Sequence, residues 1–183
     1  MGPPEPEHRF EEIYTAHYPA VSAYVRRRTD SPDDMADVIA ETFTTAWRRL
    51  QEVPEGDEAR FWLYGVARRT LANHFRSEER RVALALRLRE ELTAWAGFVV
   101  DGDHDEARQA FQRLSPDDRE LLALVGWEGL STGEVAKVLG CSKGAARLRL
   151  HRARKRLARA LSAADLDLSR YGSRAVSLAE GHS

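Results

Sequence analysis

The sequence predicts an all-α protein: two small helical domains joined by a flexible linker, the C-terminal one a helix-turn-helix. Three observations predict it. Apolar residues recur at steps of three and four, with no convincing alternating strand. Ser-Pro-Asp-Asp occurs twice, at Ser31 and Ser115, and a Ser-x-x-Glu box opens at Ser131; all three are helix-start signals. Between Leu139 and Lys143, Gly140-Cys141-Ser142 combines a left-handed stop with a new cap, which is a tight turn between two helices.

In chain order, Phe10 to Arg28 carries Ile13, Tyr14, His17, Val21, Tyr24 and Val25 at helical spacing. Pro19 is expected to kink or divide that helix, because proline removes a hydrogen bond and crowds the preceding turn. Ser31-Pro32-Asp33-Asp34 opens a second helix to about Leu50, with Met35, Ile39, Phe43, Trp47 and Leu50 as its expected core. Gln51 to Glu58 is a polar loop around Pro54 and Gly56. A third helix spans Phe61 to about Arg81 and mixes Phe61, Trp62, Tyr64 and Phe75 with Arg68, Arg69, His74, Arg76, Arg80 and Arg81.

The first domain is expected over residues 8–82 and the linker over 83–106, although Leu84 to Trp95 keeps a helical pattern. The second domain is expected over 107–162 and a tail over 163–183. Ser115 caps a helix bearing Leu121, Leu122, Leu124, Val125 and Trp127. Ser131 and Glu134 begin the next, with Val135, Ala136 and Leu139 as its apolar face. From Lys143 to Arg159 there are eight Lys/Arg and no acid, while Ala146, Leu150, Ala153 and Leu157 form one apolar stripe. A short helix, a sharp turn and a cationic second helix is the form that enters the DNA major groove.

Net charge conceals this. The chain carries −1 overall, but Arg60 to Arg89 is +6 and Lys143 to Arg159 is +8, leaving −15 elsewhere. Two cationic segments on an acidic chain point to two nucleic-acid surfaces. The third helix suits single-stranded DNA, since arginines track phosphates and rings accept unstacked bases.

Other classes fit poorly. Cys141 is the sole cysteine, which excludes an internal disulfide and agrees with a reducing cytoplasm. The N-terminus lacks the basic and apolar segments of a signal peptide, and no stretch nears the ~18 apolar residues of a membrane span. A cytoplasmic protein without membrane insertion is expected. The six histidines are scattered, with no phosphate-binding glycine loop and no metal-ligand cluster, so neither catalysis, a metal nor a cofactor is expected. A conventional helix-turn-helix regulator would have little use for the second aromatic and basic helix.

Three segments together resemble a known family. Asp33 to Leu50 (DDMADVIAETFTTAWRRL) is similar to a helix of the form D-x-x-Q-E-T-F-x-x-A-W in bacterial extracytoplasmic-function (ECF) RNA polymerase sigma factors of the sigma-70 family. Phe61 to Arg81 resembles that family's W-L-x-x-I-A-R-N-x-x-x-D-x-x-R, and Leu114 to Leu157 resembles its region-four signature. The resemblance covers about Phe10 to Leu161. It implies an alternative sigma factor that binds core RNA polymerase, recognises the −10 and −35 promoter elements, promotes melting and is restrained by an anti-sigma factor.

The site residues follow from that resemblance. Polymerase binding falls on Asp37, Glu41 and Arg48. The −10 element falls on Trp62, Arg68, Arg69, Asn73 and Arg76, with the Gln51–Glu58 loop as a base-capturing pocket. The −35 element falls on Lys143, Arg147, Arg149, His151 and Arg152; Arg147 is the first choice for direct readout, because arginine can bond guanine bidentately. The chain departs from the pattern at Arg69 (usually Asn), Asn73 (usually Asp) and Leu148 (usually Ser). Leu148 is open to two roles, contact with a thymine methyl or with another protein.

Overall fold

The computed structural model describes residues 5–29, 31–89 and 110–163, with side chains through residue 76 and again from 110 to 162. Among these the regular structure is helical. The chain divides into two compact units, Met1–Ala96 and Gly97–Ser183, each with its own core.

In the first unit, α1 (Pro6–Arg26), α2 (Pro32–Arg48) and α3 (Glu58–Arg89) pack pairwise against one another. α1 is one helix across Pro19, so the proline does not divide it. Pro19 and Thr15 are both exposed, so the carbonyl that proline leaves without a helical donor faces water. The expected cap of α2 forms, the Ser31 hydroxyl accepting from the Asp34 amide at 3.3 Å.

Because α2 meets two helices, it buries more than one stripe: Val38, Ile39, Thr42, Phe43 and Ala46. The Thr42 hydroxyl is satisfied by donating to the Val38 carbonyl at 2.7 Å. Trp47, expected in the core, is 43% exposed and rests edge-on against Phe10 with ring centroids 5.2 Å apart. It lies at the flank of the buried wedge. Tyr24 and Tyr64 stack at 4.7 Å and 17° between α1 and α3.

A 3₁₀ turn (Leu50–Glu52) leads from α2 into the loop before α3. Val53 is buried there, and Arg9 of α1 donates to its carbonyl at 2.8 Å. Backbone helicity in α3 continues to Arg89, past residue 82 and into the segment read as linker. The apolar linker residues Leu92, Trp95, Phe98 and Val99, and the tail beyond residue 163, lie outside the described residues.

In the second unit, α4 (Pro116–Gly126), α5 (Thr132–Leu139) and α6 (Lys143–Ala163) form a compact trio. Ser115 caps α4 through the Asp118 amide at 3.2 Å. Both halves of the capping box at Ser131 and Glu134 are present. Gly140 takes φ 62°, a left-handed conformation that glycine adopts without a Cβ penalty. The Cys141 amide then returns to the Ala136 carbonyl at 3.0 Å, and Ser142 caps α6 through the Ala145 amide at 3.2 Å. The stripe Ala146, Leu150, Ala153 and Leu157 is buried as expected, and Leu161 extends it.

Candidate nucleic-acid interface

In the C-terminal unit the five expected −35 residues, Lys143, Arg147, Arg149, His151 and Arg152, are all exposed on α6. Burying the small-and-leucine stripe against α4 and α5 turns the cationic remainder outward. One cation of α6 is used internally. Arg156 donates to both oxygens of Asp118, at 2.9 and 2.8 Å, and the Asp118 side chain is 8% exposed. Asp118 therefore caps nothing itself but ties the first turn of α4 to the far half of the cationic helix.

In the N-terminal unit, expected polymerase and DNA residues line one open groove. Asp37 and Glu41 contribute from α2, while Arg69, Asn73 and His74 contribute from α3; Arg49 lines it too. Arg48 is exposed near the end of α2 and does not line the groove. His74 Nε2 approaches Asp34 Oδ1 at 3.0 Å, linking the start of α2 to α3.

The cations here are crowded. Partial burial, and then the positive charges of Arg49 and Arg68, pull the Arg69 guanidinium below its ordinary value. Three like charges held together favour a polyanion that neutralises them. Arg49 also lies over the Trp62 ring at 5.7 Å and is held by Glu52, its Nε donating to Oε1 at 2.9 Å. Trp62 is half-buried rather than an open platform. Arg76 donates to the Asn73 side-chain oxygen at 2.8 Å and to the Ala72 carbonyl at 3.1 Å, so those two expected contacts form a preset pair.

The Gln51–Glu58 loop and α1 border a half-open cavity of about 580 Å³ that Arg9, His17, Gln51, Pro54, Gly56 and Asp57 help to line. That lies within the range of small-molecule sites, roughly 300–1,000 Å³. Burial, reinforced by Arg60, lowers the His17 pKa; the Asp57 carboxylate and a hydrogen bond with the Gly56 backbone oppose it.

Family comparison accounts for both units. Sigma-70 region 2 matches residues 13–81, and Sigma-70, region 4 matches residues 104–157. RNA polymerase sigma factor CarQ of Myxococcus xanthus is 30% identical over 88% of this chain and 94% of its own length. The ECF RNA polymerase sigma factor SigF of Caulobacter vibrioides is 31% identical over 78% of this chain and 79% of its own. The chain belongs to the ECF RNA polymerase sigma factors of the sigma-70 family.

It is thus an alternative sigma factor, a transcription initiation factor of a kind that is not in itself an enzyme. Solved relatives include the sigma factor RpoE in complex with the anti-sigma factor NepR from Bartonella quintana. That chain is 25% identical, with a TM-score of 0.54 over 84% of this chain and 96% of its own length. CnrH in complex with the cytosolic domain of CnrY has the same identity and TM-score, over 84% of this chain and 88% of its own. Among the described residues no helix is long and apolar enough to cross a membrane, and no group of three metal-ligating side chains occurs.

Three features of this sigma factor escaped the sequence reading. Arg49 was one half of an Arg-Arg doublet, and only the end of α2 turns it toward Trp62. His17 carried the helical period of a core residue, and nothing local marked its cavity. Asp118 and Arg156 are 38 residues apart, a pairing no local pattern reveals.

Proposed function

We propose that this sigma factor docks on core RNA polymerase through the exposed carboxylates Asp37 and Glu41, with Arg48. It opens and holds the −10 element with α3 and the loop before it, and grips the −35 duplex with α6. The observation that carries the reading is the division of charge: both cationic surfaces are on separate modules, and each is oriented by burial of the opposite helix face.

The two surfaces do different chemistry. On α6, exposed cations line the outward face of a capped helix, a shape complementary to a major groove and its phosphates. Arg68 and Arg69 of α3, with Arg49 from the end of α2, neutralise strand phosphates beside Trp62. The cavity under the Gln51–Glu58 loop accepts an unstacked base, which offsets part of the cost of melting. Asp37, Glu41, Arg69 and Asn73 share a groove, so polymerase and DNA contacts adjoin and docking positions the melted strand.

An anti-sigma factor restrains the protein until a signal arrives. The solved relatives RpoE and CnrH, each captured with a protein partner, support this reading. The chain works in the cytoplasm, adds no catalytic group of its own and requires no cofactor; the polymerase supplies the chemistry.

Run-off transcription with core polymerase tests the reading. The full chain is expected to direct initiation at promoters that core alone ignores. Failure of folded protein to associate with core polymerase overturns it.

A further inference from the structure

Leu148 is 50% exposed, the most exposed of the large apolar side chains described. Its place on α6 is informative. At about 100° per residue it stands about 200° from both Ala146 and Leu150, which are buried at 0% and 4%. It therefore occupies the middle of the outward face. Arg147 and Arg149 flank it, and His151 and Arg152 follow one turn later, all exposed.

The side chain of a helical residue leans toward the preceding turn. For Leu148 that turn holds Gly144 and Ala145, and a Cβ added to Gly144 would meet nothing within 4 Å. An exposed apolar side chain thus stands among basic groups one turn from a capped helix start, and the space beside Gly144 is open. A protein partner suited to that leucine would bring mixed or apolar surface to five basic groups. Duplex DNA instead brings phosphates for the cations and, among base edges, one apolar group: the C5 methyl of thymine.

We propose that Leu148 is a specificity-determining residue that packs on a thymine methyl in the −35 major groove. This rests on the −35 role of α6 proposed above and deepens it. Arginines at either side hold the helix in register on phosphates or guanine edges, and Leu148 selects thymine between them. The open space at Gly144 lets the base edge come close enough for van der Waals contact.

The test uses the full chain assembled with core polymerase, on a promoter located by mapping start sites. Each −35 thymine is replaced in turn by deoxyuridine, which lacks only the methyl. At one position the wild-type complex is expected to lose about fourfold in affinity, the effect of exposing one buried methyl. Leu148→Ala and Leu148→Ser are expected to bind the thymine promoter with a similar loss and to become indifferent to uracil there. Circular dichroism of these surface variants is expected to match wild type.

Tolerance of uracil at every position, with Arg147→Ala still weakening −35 binding, overturns the Leu148 contact and leaves the duplex reading standing. An unchanged uracil profile in Leu148→Ala, with transcription reduced, overturns it in favour of a protein contact. If Arg147→Ala has no effect on −35 binding either, the duplex reading itself fails and Leu148 falls with it.

Discussion

The two cationic helices of this sigma factor are built in opposite ways. On α6 the expected DNA residues are exposed, and the one cation shown bound to a partner, Arg156, pairs with Asp118 away from them. On and beside α3 the cations are entangled with the module: Arg69 is crowded by Arg68 and by Arg49 from the end of α2, Arg76 holds Asn73, and Arg49 bridges Glu52 and Trp62. The contrast follows from the substrates. A duplex presents regular phosphates and rigid base edges, so a straight helix with a dry back is sufficient. A melted strand has no shape of its own, and the protein must supply the arrangement of charge, ring and cavity.

The largest expected effect concerns the pair that orients α6. Arg156→Ala leaves the Asp118 carboxylate in a nearly dry site and is expected to cost about 3 kcal/mol of C-terminal unit stability. That is the low end for breaking a buried ion pair, because the Arg156 side chain is 56% exposed. Chemical denaturation measures it, and a loss below 0.5 kcal/mol, roughly a surface-pair value, would break the claim that α6 is tied internally.

Next come the two readouts. Arg147→Ala is expected to weaken binding to a −35 duplex by about 1–3 kcal/mol, the value of a good bidentate contact. Transcription from a pre-melted template lacking that element is expected to be spared. Trp62→Ala is expected to do the reverse, slowing opening of a closed promoter by an amount equivalent to about 0.5–1 kcal/mol, the value of the cation–ring contact that holds Arg49 beside the melted strand. An artificial bubble is expected to rescue it, and permanganate footprinting distinguishes the two. Equal defects on duplex and bubble templates in both variants would erase the division between the helices.

Smaller effects sharpen the boundary. Ser131→Ala removes the cap of α5, the helix before the turn into α6, and is expected to lower its unit's melting stability by about 1 kcal/mol. In the N-terminal unit, His17 has a lowered folded pKa, so its neutral form is the one folding favours. Its contribution is complete above the ordinary histidine value of 6.5. It declines as pH falls from there to the lowered folded value, then levels off. His17→Gln is expected to flatten the stability profile in that window, and an unchanged profile would show that His17 does not feel its cavity.

Legibility in the sequence differed between the same two regions. The Ser131–Glu134 box, Gly140, Ser142 and the stripe from Ala146 to Leu157 were all readable, because each is a local rule: a cap, a positive φ, a period. The choice of Lys143, Arg147, Arg149, His151 and Arg152 came from the family resemblance, and their exposure agrees with that stripe. The N-terminal unit resisted. Trp47 looked like core because sequence period cannot say where a wedge between two helices ends, and Pro19 looked like a break because its solvent-facing carbonyl was invisible. Arg49, His17 and the Asp118–Arg156 pair belong to contacts among separate elements.

The order of the helices, their caps, the segregation of charge and the family resemblance were determined by sequence alone, since they depend on neighbours within one or two turns. Which cations are engaged, how Trp62 and the loop cavity are presented, and the placing of Asp37 beside Arg69 in one groove were decided by tertiary structure. Those depend on distances between side chains far apart in the chain, and only packing of the apolar faces sets such distances.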